Sequence, residues 1–301
     1  MKTMHRSLTG AALLLAMAPL TAVPVRDDQA EDRAVKAIQK LDARIDRDMK
    51  AKGKPIVGVD FGDTEVTDAG LKNLAALKQL QMLDLGETDV TDAGLKHLAG
   101  LKHLRKLSLY GAQVTGAGLK HLARLKQLQK LNLAYTEVTD TGLKDLTGLK
   151  QLQTLELAYT QVTDAGLKNL ARLKQLQKLD LGGTEVTDSG LKHLAELKQL
   201  RELNLGGTQV TDAGLKHLAG LKQLQWLILL DTQLTDTGVK VLAGLNHLQY
   251  LSLNRTKVTD VGLTHLAGLK QLRQLDLRAT PVTDEGIADL KKALPKLEII
   301  E

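Results

Sequence analysis

The chain has 301 residues, a formal net charge of +6, one Phe, one Trp and no Cys. Without thiols it has neither a disulfide framework nor thiolate chemistry, and so small a basic excess does not by itself argue for a nucleic-acid partner. Aromatics make up only 2%, so Leu has to supply the core.

At the N-terminus, Lys2, His5 and Arg6 precede an apolar run from Leu8 to Leu20, broken only by Thr9, Gly10 and Pro19. The run is shorter than the roughly 20 residues of an ordinary membrane span. It reads as a secretory signal peptide over residues 1–22, hence as export to the periplasm, cell surface or medium. Ala16-Met17-Ala18 and Ala22 are the two cleavage candidates, and an uncleaved anchor is the alternative. No later segment is long and apolar enough to span a bilayer. Residues 23–54 read as a linker and a capping helix. From Glu31 to Met49, residues Val35, Ile38, Leu41, Ile45 and Met49 recur at three- and four-residue steps, the pattern of one amphipathic helix. Its alternative role is as a partner-binding helix.

From residue 55 to 301 a 24-residue unit repeats about ten times. It reads L-x-x-L-x-x-L-x-L-x-x-T-x-V-T-D-x-G-L-K-x-L-A-x. Self-similarity at such a period predicts stacked units. The L-x-L pair alternates as a strand does: Leu83 and Leu85 point inward, and Met82, Asp84 and Gly86 outward. Val59 and Phe61 align with that pair and give the first strand. Thr91 to Ala99 reads as a helix start, with Thr or Asp as cap and Leu95, Leu98 and Ala99 on one face. Strands stack about 4.8 Å apart and helices about 8–10 Å apart, so the stack should bend with its strands on the concave side. The Thr column (Thr88, Thr136, Thr160 and their counterparts) is expected to satisfy backbone of the neighbouring unit. One unit departs, with Ala112 for Thr and Gly116 for Asp, and should be the weak point. Leu290, Leu294, Leu297 and Ile300, with Pro295, form a terminating unit.

The iterated L-x-x-L-x-L core, over roughly residues 55–300, resembles the leucine-rich repeat family. Thr stands where many members carry Asn or Cys. V-T-D-x-G-L looks like the variety in bacterial repeat proteins and in the substrate-reading arms of F-box proteins. The resemblance implies an α/β fold: a right-handed, curved solenoid with parallel strands on the concave face and short helices on the convex face. It also implies binding of macromolecules, mostly proteins, on the concave face. No F-box is apparent, so a ubiquitin-ligase role is not carried over.

Four outward columns of the strand segment vary most, and they hold the sole Trp and all four Tyr. Trp226, Ile228 and Leu230 share one strand, Tyr250 lies one strand over, and Asn254 and Arg255 follow it. This predicts a partner-binding patch. Tyr110, Tyr135 and Tyr159 form a second group. The plainer reading is that aromatics suit exposed strands. Two lysine columns, one beginning Lys72, Lys96, Lys120 and the other Lys78, Lys102, Lys126, lie on the helix side. They leave open a polyanion- or glycan-binding envelope protein, against ordinary solvation of a convex face. His97, His121, His193, His217 and His265 share a helix column, but the helix spacing is too wide for bonds of roughly 2.0–2.1 Å to one zinc. Repeated Asp such as Asp92 and Asp140 are explained as caps. No catalytic motif is present. The expectation is an exported, non-enzymatic protein-binding scaffold with no cofactor, metal or specific nucleic acid.

Overall fold

The computed structural model describes residues 28–301, so the signal peptide expected over 1–22 lies outside the described residues. Helix α1 (Asp28–Gln39) comes first, then the strands β1 (Arg44–Arg47), β2 (Ile56–Asp60), β3 (Met82–Asp84), β4 (Lys106–Ser108), β5 (Lys130–Asn132), β6 (Thr154–Glu156), β7 (Lys178–Asp180), β8 (Glu202–Asn204), β9 (Trp226–Ile228), β10 (Tyr250–Ser252), β11 (Gln274–Asp276) and β12 (Glu298–Ile300). They form one open sheet in chain order. β2 to β12 are parallel and each pairs one repeat on, as Leu83 with Leu107 and Leu227 with Leu251. Between them run short helical segments, such as Asp140–Leu146 and Asp188–Leu194.

The helix expected over Glu31–Met49 is shorter. α1 ends at Gln39, Asp42 takes a left-handed backbone with φ 55°, and Arg44–Arg47 pairs antiparallel with β2. An unpaired sheet edge offers a row of free N–H and C=O groups, and the chain satisfies them by turning back. Val35 and Ile38 are buried and Ile45 packs on the core, whereas Met49 is 65% exposed.

One continuous core runs the length of the stack, built mostly from Leu with a Val in most repeats. Leu83 and Leu85 are both buried, as the alternation required. The bonds around that core differ from expectation in two ways. Each column Thr hydroxyl donates to the carbonyl three residues back in its own unit, a Leu as in Thr184 to Leu181 at 2.6 Å or Phe61 in the case of Thr64, and not to the neighbour. It closes its own turn because Oγ1 lies over that carbonyl. Second, the cap is Thr, and Asp bridges repeats. Thr187 Oγ1 accepts from Ser189 N–H, while Asp164 of the preceding unit takes both the Thr187 N–H (2.8 Å) and its hydroxyl (2.6 Å). The same bridge links Asp140 to Thr163, Asp188 to Thr211 and Asp236 to Thr259. This explains the Gly of V-T-D-x-G: a Cβ on Gly190 would run into the Asp164 carboxylate.

Candidate binding face

The strand face is shaped by its turn. The fourth variable column takes a left-handed backbone throughout: Glu87, Gly111, Tyr135, Tyr159, Gly183, Gly207, Asp231, Arg255 and Ala279 have φ between 52° and 67°. Bulky residues rarely occupy this region, and strained positions gather at functional sites. The recurring Gly111, Gly183 and Gly207 were the sequence signal for it. The third column turns inward more than alternation suggests. Ala134 and Ala158 are buried, and so is Gly86. In the second column Asp84, Asn132, Asp180 and Asn204 each accept the N–H two residues on, at 2.9 Å, closing the turn.

The aromatics on this face form two groups. Trp226 lies on Tyr250 with centroids 4.6 Å apart and planes at 18°. Trp226 is 42% exposed, Leu230 is 36% exposed and leans over Gly206, and Ile228 between them is half-buried. So β9 and β10 bring Trp226 and Tyr250 into contact, with Ile228 two residues along the same strand and Leu230 in the turn that follows, against Gly206. Asn254 and Arg255 stand in the turn after β10, Asn254 half-buried and Arg255 exposed. The Asn254 carbonyl accepts Asp231 N–H at 2.8 Å.

Tyr110, Tyr135 and Tyr159 make a second row at the turn end of β4 to β6, Tyr135 stacked on Tyr159 and Tyr110 tilted against Tyr135 at 58°. Its centroids are 5.1 and 4.6 Å apart, and the last ring lies over Gly183, where a Cβ would strike it. Desolvation, then the neighbouring rings of Tyr159 and Tyr110, hold the Tyr135 phenol above its ordinary pKa.

A groove of about 430 Å³ crosses the face from β1 to β7, with Asp46, Asp60 and Asp84 at one end and Lys106, Lys130 and Lys178 further along. Lys178 is paired with Glu156 at 2.8 Å. Desolvation disfavours its charge, but the bond to Glu156 prevails and raises its pKa.

The helix side is more structural than its charge suggests. Lys126, Lys150, Lys222 and Lys270 each donate to a carbonyl at the end of the next helix, and Lys174 pairs with Glu196. Cations are favoured there by the helix dipole. Burial, then neighbouring lysines, lower the pKa of His97 and His193, which favours the neutral imidazole. Among the described residues no three His, Asp or Glu are placed to hold one metal ion.

A family model described as a leucine-rich repeat region matches residues 63–233, more than half the chain, and another for the leucine-rich repeat matches 222–282. No curated protein matches. Among solved structures, an internalin from Listeria monocytogenes is 22% identical over 94% of this chain and 98% of its own, with a TM-score of 0.58. A leucine-rich repeat protein of Leptospira interrogans is 25% identical over 76% of this chain and 62% of its own, also at 0.58. An internalin C2 from Listeria monocytogenes is 26% identical over 76% and 92%, at 0.54.

Proposed function

This chain belongs to the leucine-rich repeat proteins, and from that premise we propose that it is a non-enzymatic module that captures a protein partner on its strand face, centred on Trp226. The family's fold commonly mediates protein binding. The observation that carries the reading is the Trp226–Tyr250 stack, with half-buried Ile228 next on the same face of β9 and exposed Leu230 in the turn after it. In a chain with 2% aromatics, Trp226, Tyr250 and Ile228 stand at strand positions that most other repeats fill with polar residues, and Leu230 stands where most repeats carry Gly or Ala. Contiguous apolar patches mark partner sites, and Trp and Tyr dominate binding hot spots. The lysine bonds to helix-end carbonyls favour this reading over a polyanion carried on the helix side.

The domain reading is an exported binding unit over residues 55–301, behind a signal peptide (1–22) and a linker with its cap (23–54). Export rests on the basic start and apolar run before Pro19. No helix among the described residues is long and apolar enough to cross a membrane. N-terminal sequencing of the chain from its native host should find Pro19 or Val23 first. A chain that keeps Met1 would contradict cleavage.

The test of the binding face is affinity capture from the native envelope and medium, with mass-spectrometric identification. Trp226→Ala with Tyr250→Ala should weaken capture by about 2 kcal/mol or more. Binding should depend little on salt. Capture unchanged by this pair, or lost steeply as salt rises, would move the site to the lysines.

A further inference from the structure

We infer that the partner docks an extended peptide segment across the strands, with acidic side chains over Lys106 and Lys130 and an apolar side chain against Trp226 and Tyr250. This rests on the strand-face reading above and gives the partner its polarity. The members of the first variable column are in register along the sheet. Lys106 pairs with Lys130 on β4 and β5, and Trp226 with Tyr250 on β9 and β10. Like charges directly opposite on neighbouring strands repel.

Lys178 has Glu156 at 2.8 Å, but Lys106 and Lys130 have no carboxylate within 4.0 Å among the described residues. Both are exposed and line the groove of about 430 Å³, a size within the usual range for a bound ligand segment. A carboxylate seated between the two amines relieves their repulsion. The groove's far end carries Asp46, Asp60 and Asp84, and Glu202 stands beside Trp226. A continuous polyanion would meet these acids, whereas a peptide can change sign along its length. From β4 or β5 to β9 is four or five strand spacings, about 19–24 Å. At about 3.3 Å per residue, six or seven extended residues cover it.

The experiment selects from a displayed library of random peptides, roughly twelve residues long, on the full chain. Selection should enrich Asp or Glu some six or seven residues from Trp, Phe or Leu. Lys106→Glu with Lys130→Glu should turn the enriched acid into Lys or Arg and keep the apolar residue. An acidic peptide selected on the parent should bind this variant about tenfold more weakly or worse. Lys120→Glu with Lys144→Glu, the same charge change on the helix side, should alter neither result. Circular dichroism confirms that all variants fold. If acids are not enriched, or charge reversal leaves the selected peptides unchanged while Trp226→Ala with Tyr250→Ala abolishes binding, this inference fails and the strand-face reading stands. If peptides survive both pairs of substitutions, both readings fail.

Discussion

The unit carrying Ala112 and Gly116 and the unit carrying Thr184 and Asp188 have the same Leu core and the same in-register strands, yet differ in two side-chain bonds. In the second, Thr184 donates to Leu181 and Asp188 bridges to Thr211. In the first, Ala112 has no hydroxyl to give Leu109, and Gly116 has no carboxylate for Thr139. Thr139 instead meets Thr141 at 3.0 Å and caps no backbone N–H with its side chain. The backbone fills the gap, so closely that a Cβ on Gly142 would meet the Gly116 Cα and carbonyl. The helical segment there (Leu119–Arg124) is a 3-10 turn, where Asp188–Leu194 is α-helical. Packing of Leu and the backbone ladder therefore set the repeat geometry, and the Thr and Asp bonds reinforce it.

The largest test of this comparison is Gly142→Ala beside Gly190→Ala. The first puts a methyl against backbone and should cost about 2–3 kcal/mol in denaturant unfolding. The second meets side chains, the Asp164 carboxylate held by Thr187 and the Leu167 methyl, which can give way more than backbone, and should cost less. The reverse order would show that the two contacts are misjudged. Next, Asp164→Ala strands the N–H and hydroxyl of Thr187 and should cost about 1–2 kcal/mol. Gly116 already lacks a carboxylate, so Gly116→Ala removes no such bond, and a loss there reports crowding against Gly142 and Thr139 net of the entropy Ala removes from the unfolded chain. A smaller gain is expected from Ala112→Thr, which restores the hydroxyl bond to Leu109 at a site where Thr fits in the other repeats. It should add about 1 kcal/mol, and an unchanged unfolding midpoint would deny that bond any weight.

The smallest effect concerns acid. The bond from Arg278 lowers the Asp276 pKa, and bonds from the Thr283 backbone and hydroxyl lower that of Asp260. A carboxylate depressed in the folded state stabilises above its unfolded pKa and loses that contribution as pH falls through the folded value. Unfolding midpoints should therefore decline below the ordinary Asp value of 3.8. Asp276→Asn should flatten that decline; if the slope persists, other carboxylates set it.

Much of the fold was legible in one unit of sequence. Leu spacing named the inward positions, and the 24-residue period named the stacking partner, because each core position repeats with its own copy. The departures at Ala112 and Gly116 could be seen as departures, but not what they broke. The candidate binding face was only half legible. The columns picked out Trp226, Tyr250 and the tyrosines, but whether rings stack depends on their rotamers and on neighbours such as Gly183 and Gly206, one repeat away.

By itself, then, the sequence determined the repeat, its strand and its core, since these follow from local alternation and burial of Leu. Only the tertiary structure decided where the polar side chains go. Asp164 has no local mark that sends it to Thr187 in the next unit, and Arg44–Arg47 has none that makes it a strand. Both outcomes depend on groups far along the chain that stacking brings within hydrogen-bond reach: the orphan donors of a neighbouring helix start in one case, the open edge of β2 in the other.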